Sequence, residues 1–228
     1  MNPPVSDVTD LPADGGSHTG LGPDPALDDP GAALPGSARL VVVVGPSGAG
    51  KDSLLRLWRA SLPAAQRPHL ARRSITRPAE QGAQVHEAHE ALTPEQFVAQ
   101  VRADAFALRW QAHGLHYGIR HAELAPLARG QWVLLNGSRA HLPQLRLAAP
   151  RARVLLVDAP EALRAARLQA RGREPAPAHA ARLQRQLPVP AASGPAPDLH
   201  IVNDRSLAEA AAQLSAWWQS LHTMASAA

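Results

Sequence analysis

Leu40-Val41-Val42-Val43-Val44-Gly45-Pro46-Ser47-Gly48-Ala49-Gly50-Lys51-Asp52-Ser53-Leu54-Leu55 decides how the rest of this 228-residue chain is read. Four consecutive valines make the short apolar run of a strand buried on both faces of a parallel sheet. A glycine-rich turn follows, then a helical pattern with Leu54, Leu55 and Leu57 on its apolar side. Strand, Gly-x-x-x-x-Gly-Lys and helix, in that order, is the context in which the spacing means phosphate binding. The glycines let backbone N–H groups of residues 45–50 turn toward a phosphate, and the new helix adds its positive end. Lys51 then reaches the outer phosphates as a mobile point charge. The next position usually offers a Ser or Thr hydroxyl to magnesium; here it is Asp52, followed by Ser53. A carboxylate is also a hard oxygen ligand, so Asp52 and Ser53 are the candidate magnesium ligands.

Lys51 is the one lysine of the chain, and the remaining basic residues are all arginines. A composition that uses arginine elsewhere keeps an ammonium here, which points to a chemical requirement. Upstream, residues 1–36 are rich in Pro, Gly, Asp and Ser without apolar periodicity and read as a disordered tail. That tail carries six aspartates and no basic residue, so the overall charge of +4 understates the rest, which holds 23 basic against 13 acidic side chains. With one tyrosine and two phenylalanines the chain lacks the basic and aromatic stripes of a single-strand binder, so nucleic acid is not expected. Small phosphorylated ligands suit the arginines better, because guanidinium grips phosphate bidentately. The chain has no cysteine, so disulfides and thiolate metal sites are excluded. With neither an export signal nor a run of 18 apolar residues, a cytoplasmic protein without membrane contact is expected.

Downstream, strands and helices alternate. Strands are expected at Leu70 to Ile75, Ala105 to Trp110, Val133 to Leu135, Arg153 to Val157 and Leu199 to Val202, with Gln111 to Ile119 as a loop. Helices are expected from Thr93, which has Pro94 behind it and Gln96 to complete a capping box, to about Ala103. Further helices are expected over Ala122 to Ala128, Arg139 to Ala148, Glu161 to Arg171, residues 178–186, and Ser206 to Leu221. Alternation of this kind predicts an α/β fold, a parallel sheet flanked by helices, in one domain over residues 37–224.

The glycine loop alone does not select a chemistry. A GTPase would need an Asn-Lys-x-Asp reader of guanine, which a single lysine at position 51 forbids. Asp158 ends an apolar strand as the metal-binding acid of an ATPase motor would, but it also stands where helix starts favour Asp. Arg164, Arg167 and Arg171 share one helix face at i, i+3 and i+7, with Arg173 and Arg182 beyond. Such arginines stabilise a transferring phosphoryl group when a lid closes; a solvated arginine face is the alternative, favoured for Arg164. An acceptor hydroxyl would call for a positioned base, whereas an acceptor phosphate needs only cations, and Arg72, Arg73, Arg77 and Arg139 supply them.

Gly45 to Lys51, Thr76-Arg77-Pro78, Tyr117-Gly118, Arg167-x-x-x-Arg171-Gly172 and Val202-Asn203-Asp204 stand in the order found in guanylate kinases, which the chain resembles over about residues 39–221. It is more similar still to the ribose 1,5-bisphosphate phosphokinase branch of that P-loop superfamily. Gly50-Lys51-Asp52-Ser53, Ile75 to Pro78, His89 to Leu92, and Phe106-Ala107-Leu108-x-Trp110-x-Ala112-His113-Gly114-Leu115-x-Tyr117-Gly118 carry that likeness. Leu108 falls where guanylate kinases place the glutamate that reads guanine, and Asn136 lies near the second acidic reader. Losing such a partner costs factors of ~10⁴ or more in comparable sites.

The resemblance implies a P-loop kinase with acceptor-binding and lid insertions. It also implies phosphorylation of ribose 1,5-bisphosphate by ATP with magnesium, in phosphonate breakdown and the supply of 5-phosphoribosyl diphosphate. It assigns Gly45, Pro46, Ser47, Gly48, Ala49, Gly50, Lys51, Asp52 and Ser53 to ATP, with Arg173 and Asn203 beside it and Lys51, Arg167 and Arg171 as catalytic. Arg73, Arg77, His113, Tyr117, Asn136, Ser138 and Arg139 would face the sugar phosphate. His89 and His113 are each read either as phosphate ligands or as structural residues. The family usually has Gly-Glu where this chain has His86-Glu87, which alters the local turn. A homodimer is one possible assembly, and nucleoside monophosphate kinase and non-catalytic binding module are the alternatives in function.

Overall fold

The computed structural model describes residues 33–77, 89–112, 114–170 and 196–226. Pro78, His86, Glu87, His113, Arg171, Gly172, Arg173, Arg182, the expected helix over 178–186 and the lid lie outside the described residues, as does the tail over 1–32. Leu34 already belongs to the fold, its N–H donating to the carbonyl of Ala148 at 2.7 Å.

Strand β1, Leu40–Val44, is buried along its whole length and ends in the glycine loop, after which helix α1 runs over Lys51–Ser61. Beyond α1 come β2 (His69–Leu70), β3 (Arg73–Ile75), β4 (Glu90–Ala91), α2 (Pro94–Arg102), β5 (Phe106–Ala112) and β6 (Leu115–Arg120). The chain continues through α3 (His121–Ala128), β7 (Val133–Asn136), a 3-10 turn over Arg139–His141, α4 (Leu142–Ala148), β8 (Arg153–Asp158), α5 (Glu161–Ala170), β9 (Leu199–Val202) and α6 (Leu207–Ser226).

Five strands form a parallel sheet in the order β2-β7-β1-β8-β9, so β1 lies at its centre between β7 and β8. Successive valines therefore face opposite cores. Val42 and Val44 pack with Leu135, Val154 and Leu156 and reach Ile75, Trp110 and Tyr117 of the second sheet. Val41 and Val43 pack with Leu134, Leu155 and Ile201 under α1 and α6. There Trp58 meets Trp218 edge to face at 5.1 Å, and both are fully enclosed. Shortening a side chain such as Leu54 at this seam would cost ~2–5 kcal/mol, since close packing does not collapse into the gap.

The second sheet, in the order β4-β3-β6-β5, is inserted between β2 and β7 and is mainly antiparallel. The expected strand from Leu70 to Ile75 is instead two short strands in different sheets. The break falls at Ala71-Arg72, where the N–H of Arg72 goes to Glu123 Oε2 at 2.9 Å instead of to a neighbouring strand. The expected loop over Gln111 to Ile119 is likewise corrected, because β5 extends to Ala112 and Leu115–Arg120 pairs with both β3 and β5. On α1 the buried residues are Leu54, Leu55 and Trp58, while Leu57 is exposed; the larger indole takes the inward position. The capping box of α2 is present, with Thr93 and Gln96 each bonded to the other's backbone N–H.

Candidate active site

All parallel strands carry their C-terminal ends to one edge of the sheet, and the loop after β1 opens there, as ligand-binding loops of open α/β sheets do. Gly45 has φ 149°, and a Cβ on it would stand 1.9 Å from the carbonyl oxygen of Val157. Gly48 has φ 81°, with Arg164 O 2.7 Å from where its Cβ would be. Backbone on both sides fixes these contacts, so no other residue fits the cradle. Lys51 Nζ donates to Gly45 O at 2.8 Å and Pro46 O at 3.2 Å, lying back across the loop.

Two residues brace the loop from the far strands. Asn203, buried beyond the end of β9, donates through Nδ2 to Ala49 O at 2.9 Å, and its N–H bonds Asp158 O at 2.7 Å. Arg167 on α5 reaches the same place. Its NH1 makes long contacts to Gly48 O and Ala49 O at 3.4 and 3.5 Å, and its NH2 donates to Asn203 O at 3.1 Å. The structure therefore sets Arg167 against the glycine loop and places the amide of Asn203 beneath it. Arg164 corrects the expectation of a solvated arginine face. It is buried, with Nε donating to Ala159 O at 2.8 Å and its backbone packed on Gly48. Asp158 accepts the N–H of Ala159 at 2.8 Å, which turns the chain toward α5.

The end of β7 and the inserted sheet bring other predicted residues to the same edge. Asn136, the last residue of β7, donates through Nδ2 to Asp52 Oδ1 at 2.9 Å. Its carbonyl accepts a long contact at 3.5 Å from Arg73 NH1. The Arg73 guanidinium lies 5.3 Å from the centre of the Tyr117 ring, a cation–π contact. Tyr117 stacks on Trp110 at 5.2 Å, and Trp110 on His141 at 5.1 Å, so a column of rings supports the guanidinium from below. Trp110 and His141 were not singled out as site residues in the sequence. Strict alternation in β5, which turns Phe106, Leu108 and Trp110 inward, was the available signal for Trp110.

Arg139, half-buried after the Asn136-Gly137-Ser138 turn, is held below the usual arginine range mainly by burial and also by Arg164, while Asp158 opposes the shift. Its guanidinium remains cationic, as arginine does throughout the working pH range. Arg77 is tied to the acceptor side through its carbonyl, 3.3 Å from His89 Nε2. His89 is buried and accepts at its own carbonyl from Arg72 NH2 at 3.4 Å. Leu108 is buried among apolar side chains. Ser47, Ser53 and Ser138 are half-buried at the same edge.

Among the described residues no group of three or more His, Asp or Glu gathers as a protein-only metal cage. Magnesium does not require one, since it binds through one or two carboxylates plus substrate phosphates and water. The site fits that pattern: Asn136 occupies one oxygen of Asp52, and the other has no protein partner among the described residues.

No family model matches the chain. It is 49% identical over 138 residues to the ribose 1,5-bisphosphate phosphokinase of Pseudomonas fluorescens, covering 60% of this chain and 70% of that protein. With the enzyme of the same name from Pantoea vagans the identity is 44% over 181 residues, 78% of this chain and 95% of the other. A bifunctional ribose 1,5-bisphosphokinase-thymidine phosphorylase from Azorhizobium caulinodans is 47% identical over 153 residues. The chain spans only 22%, 33% and 43% of the length of three longer relatives that it matches. Guanylate kinase from Anaplasma phagocytophilum superposes with a TM-score of 0.57 over 79% of this chain and 84% of that one, a likeness of fold at 17% identity. At these identities and coverages, with the phosphate cradle and inserted sheet described above, the chain belongs to the ribose 1,5-bisphosphate phosphokinase family and has the guanylate kinase-like P-loop fold.

Proposed function

We propose that the chain, through residues 37–224, transfers the γ-phosphoryl group of ATP to the 1-phosphate of ribose 1,5-bisphosphate, giving 5-phosphoribosyl 1-diphosphate and ADP. One observation carries the choice of acceptor: Arg73, on its column of rings, stands beside Asn136, which bonds Asp52 of the cradle, while buried Leu108 replaces the acid that would read a purine. The acceptor side therefore offers a fixed cation for a charged ester where a nucleotide kinase needs hydrogen-bond acceptors for a base.

An oxygen of the acceptor's 1-phosphate attacks the γ-phosphorus, the bond from that phosphorus to the β–γ bridging oxygen breaks, and ADP leaves. No general base is needed, because the attacking oxygen is already anionic. Residues 45–53 hold the triphosphate, with Lys51 on its outer groups. Arg167 exchanges its long contacts with Gly48 and Ala49 for the transferring group, together with Arg171 and Arg173, and Asn203 keeps the loop in shape beside the nucleotide. Arg77, His113, Tyr117, Ser138 and Arg139 complete the sugar-phosphate side with Arg73 and Asn136. Asp52 and Ser53 would hold magnesium, which when bound offsets the charge of the phosphate oxygens. The reaction serves phosphonate breakdown and 5-phosphoribosyl diphosphate supply in the cytoplasm, by a monomer or homodimer acting on small molecules. No described helix is long and apolar enough to cross a membrane.

Purified chain mixed with ATP, magnesium and ribose 1,5-bisphosphate is expected to release ADP, with GMP a poor acceptor. Turnover of GMP at an equal or higher rate overturns the substrate choice.

A further inference from the structure

At the opposite edge of the parallel sheet, where the strands begin, lies a cleft of about 580 Å³ lined by Arg39, Arg59, Arg67, His69, Trp132 and His222 among others. Arg39 immediately precedes β1, Arg59 is on the last turn of α1, and Arg67 is on the connection to β2. Three arginines from three separate pieces of chain thus line one cleft. About 16 Å of helix, the length of α1, separates them from the glycine loop.

The protein contacts of these arginines are all neutral. Arg39 NH1 donates to Gly130 O at 2.5 Å, Arg59 Nε to Pro68 O at 3.3 Å, and Arg67 to Leu62 O and Ala60 O at 3.0 and 3.4 Å. The backbone carbonyls orient the groups and leave most of their N–H donors without a partner among the described residues. Among the described residues no carboxylate lines the cleft. Glu123, beside the lining residue His69, is bonded by His69 Nε2 at 2.7 Å and by the N–H of Arg72. Elsewhere in the molecule arginine meets acid: Arg120 with Glu90 at 2.7 Å and Arg153 with Asp198 at 3.0 Å. Holding like charges together without a counter-charge is unfavourable, and a concave wall focuses their potential on whatever enters. Guanidinium forks match phosphate oxygens bidentately, Trp132 supplies an apolar wall, and the volume is that of an ordinary small-molecule site.

We propose that this cleft is a second anion site, separate from the phosphate cradle, which binds a small molecule carrying two or more phosphate groups. The proposal does not depend on which acceptor the active site uses.

Titration calorimetry with tripolyphosphate and no magnesium tests it. Wild-type chain is expected to bind two equivalents, one in the cradle and one in the cleft. Lys51→Ala should keep the cleft equivalent, and Arg39→Gln/Arg67→Gln should keep only the cradle one. Single Arg67→Gln, at an exposed side chain that does not threaten folding, should weaken the cleft equivalent by ~10-fold or more, as for a lost charged hydrogen-bond pair. Repeating the titration of Lys51→Ala with ADP separates the two sources of such an anion. Binding of ADP that disappears when Arg39→Gln and Arg67→Gln are added to Lys51→Ala assigns the cleft to nucleotides, and cleft binding of tripolyphosphate alone assigns it to free polyphosphate. Two equivalents retained by the double variant, an unchanged affinity in Arg67→Gln, or loss of all binding in Lys51→Ala would each overturn the proposal.

Discussion

The two sheets build their halves of the active edge from different materials. On the parallel sheet the glycine loop is shaped by main chain: backbone carbonyls of Val157 and Arg164 press against Gly45 and Gly48, and the Lys51 ammonium lies back across the loop. On the inserted sheet the recognising groups are side chains, with Arg73 held on Tyr117, Trp110 and His141 from three different elements. On the proposed reading, a phosphate donor common to many kinases suits a fixed backbone shape, and acceptor choice would reside where side chains can be exchanged without disturbing the central strand.

The contrast predicts unequal responses. The largest is at Lys51: Lys51→Ala should lower turnover by at least ~100-fold, as for loss of a preorganised charge at the transition state, measured as acceptor-dependent ADP release. A fall of less than ~tenfold would mean that the ammonium is not at the reacting phosphate. Arg73→Ala should come next, raising the KM for the acceptor by ~10–100-fold, the range for one hydrogen bond to a charged group. The KM for ATP should hardly move, and equal changes in both would show that the halves do not divide the work as described.

The Asn136–Asp52 bond ties the end of β7 to the first turn of α1 within the parallel-sheet half, and a double-mutant cycle with Asn136→Ala and Asp52→Ala should give a coupling of about 1 kcal/mol in denaturant unfolding. Zero coupling would leave the strand end and the helix start energetically independent. The smallest effect belongs to Glu90, which Arg120 foremost, with help from Ser74, holds below its usual carboxylate range against the opposing effect of burial. Its folded-state value is depressed, so its stabilisation is complete above the unfolded value of 4.5 and fades as pH falls through the folded value beneath it. Glu90→Gln should therefore lower the melting temperature at neutral pH by an amount worth roughly 1 kcal/mol or less, as for a part-exposed pair. That difference should close in melts below pH 4.5.

The same contrast governs what the sequence could disclose. Residues 40–55 are contiguous, and each has a backbone reason for its identity, so the strand, loop and helix were readable in order. The inserted sheet is not contiguous. β6 contains Gly118, whose missing side chain makes room for the Phe106 ring, and its residues are buried without alternation, so neither propensity nor period marked a strand. The passage from β2 to β3 leaves one sheet for another at Arg72, a tertiary event with no local signature. Arg164 was misplaced for a related reason: charge suggested solvent, but an arginine stem can be buried when its head finds a carbonyl, here that of Ala159. Asp52 and Asn136 were both singled out, but for different tasks. Only folding makes them neighbours.

The packing also distributes the tryptophans unevenly. Trp58, Trp132, Trp217 and Trp218 belong to the layer beneath the two long helices, while Trp110 lies alone across the central sheet, between Tyr117 and His141. Replacing that one indole by phenylalanine would therefore subtract from the emission spectrum a signal that originates beneath the Tyr117 ring on which Arg73 rests, and the difference spectrum would report changes in that column while remaining blind to events on the far face.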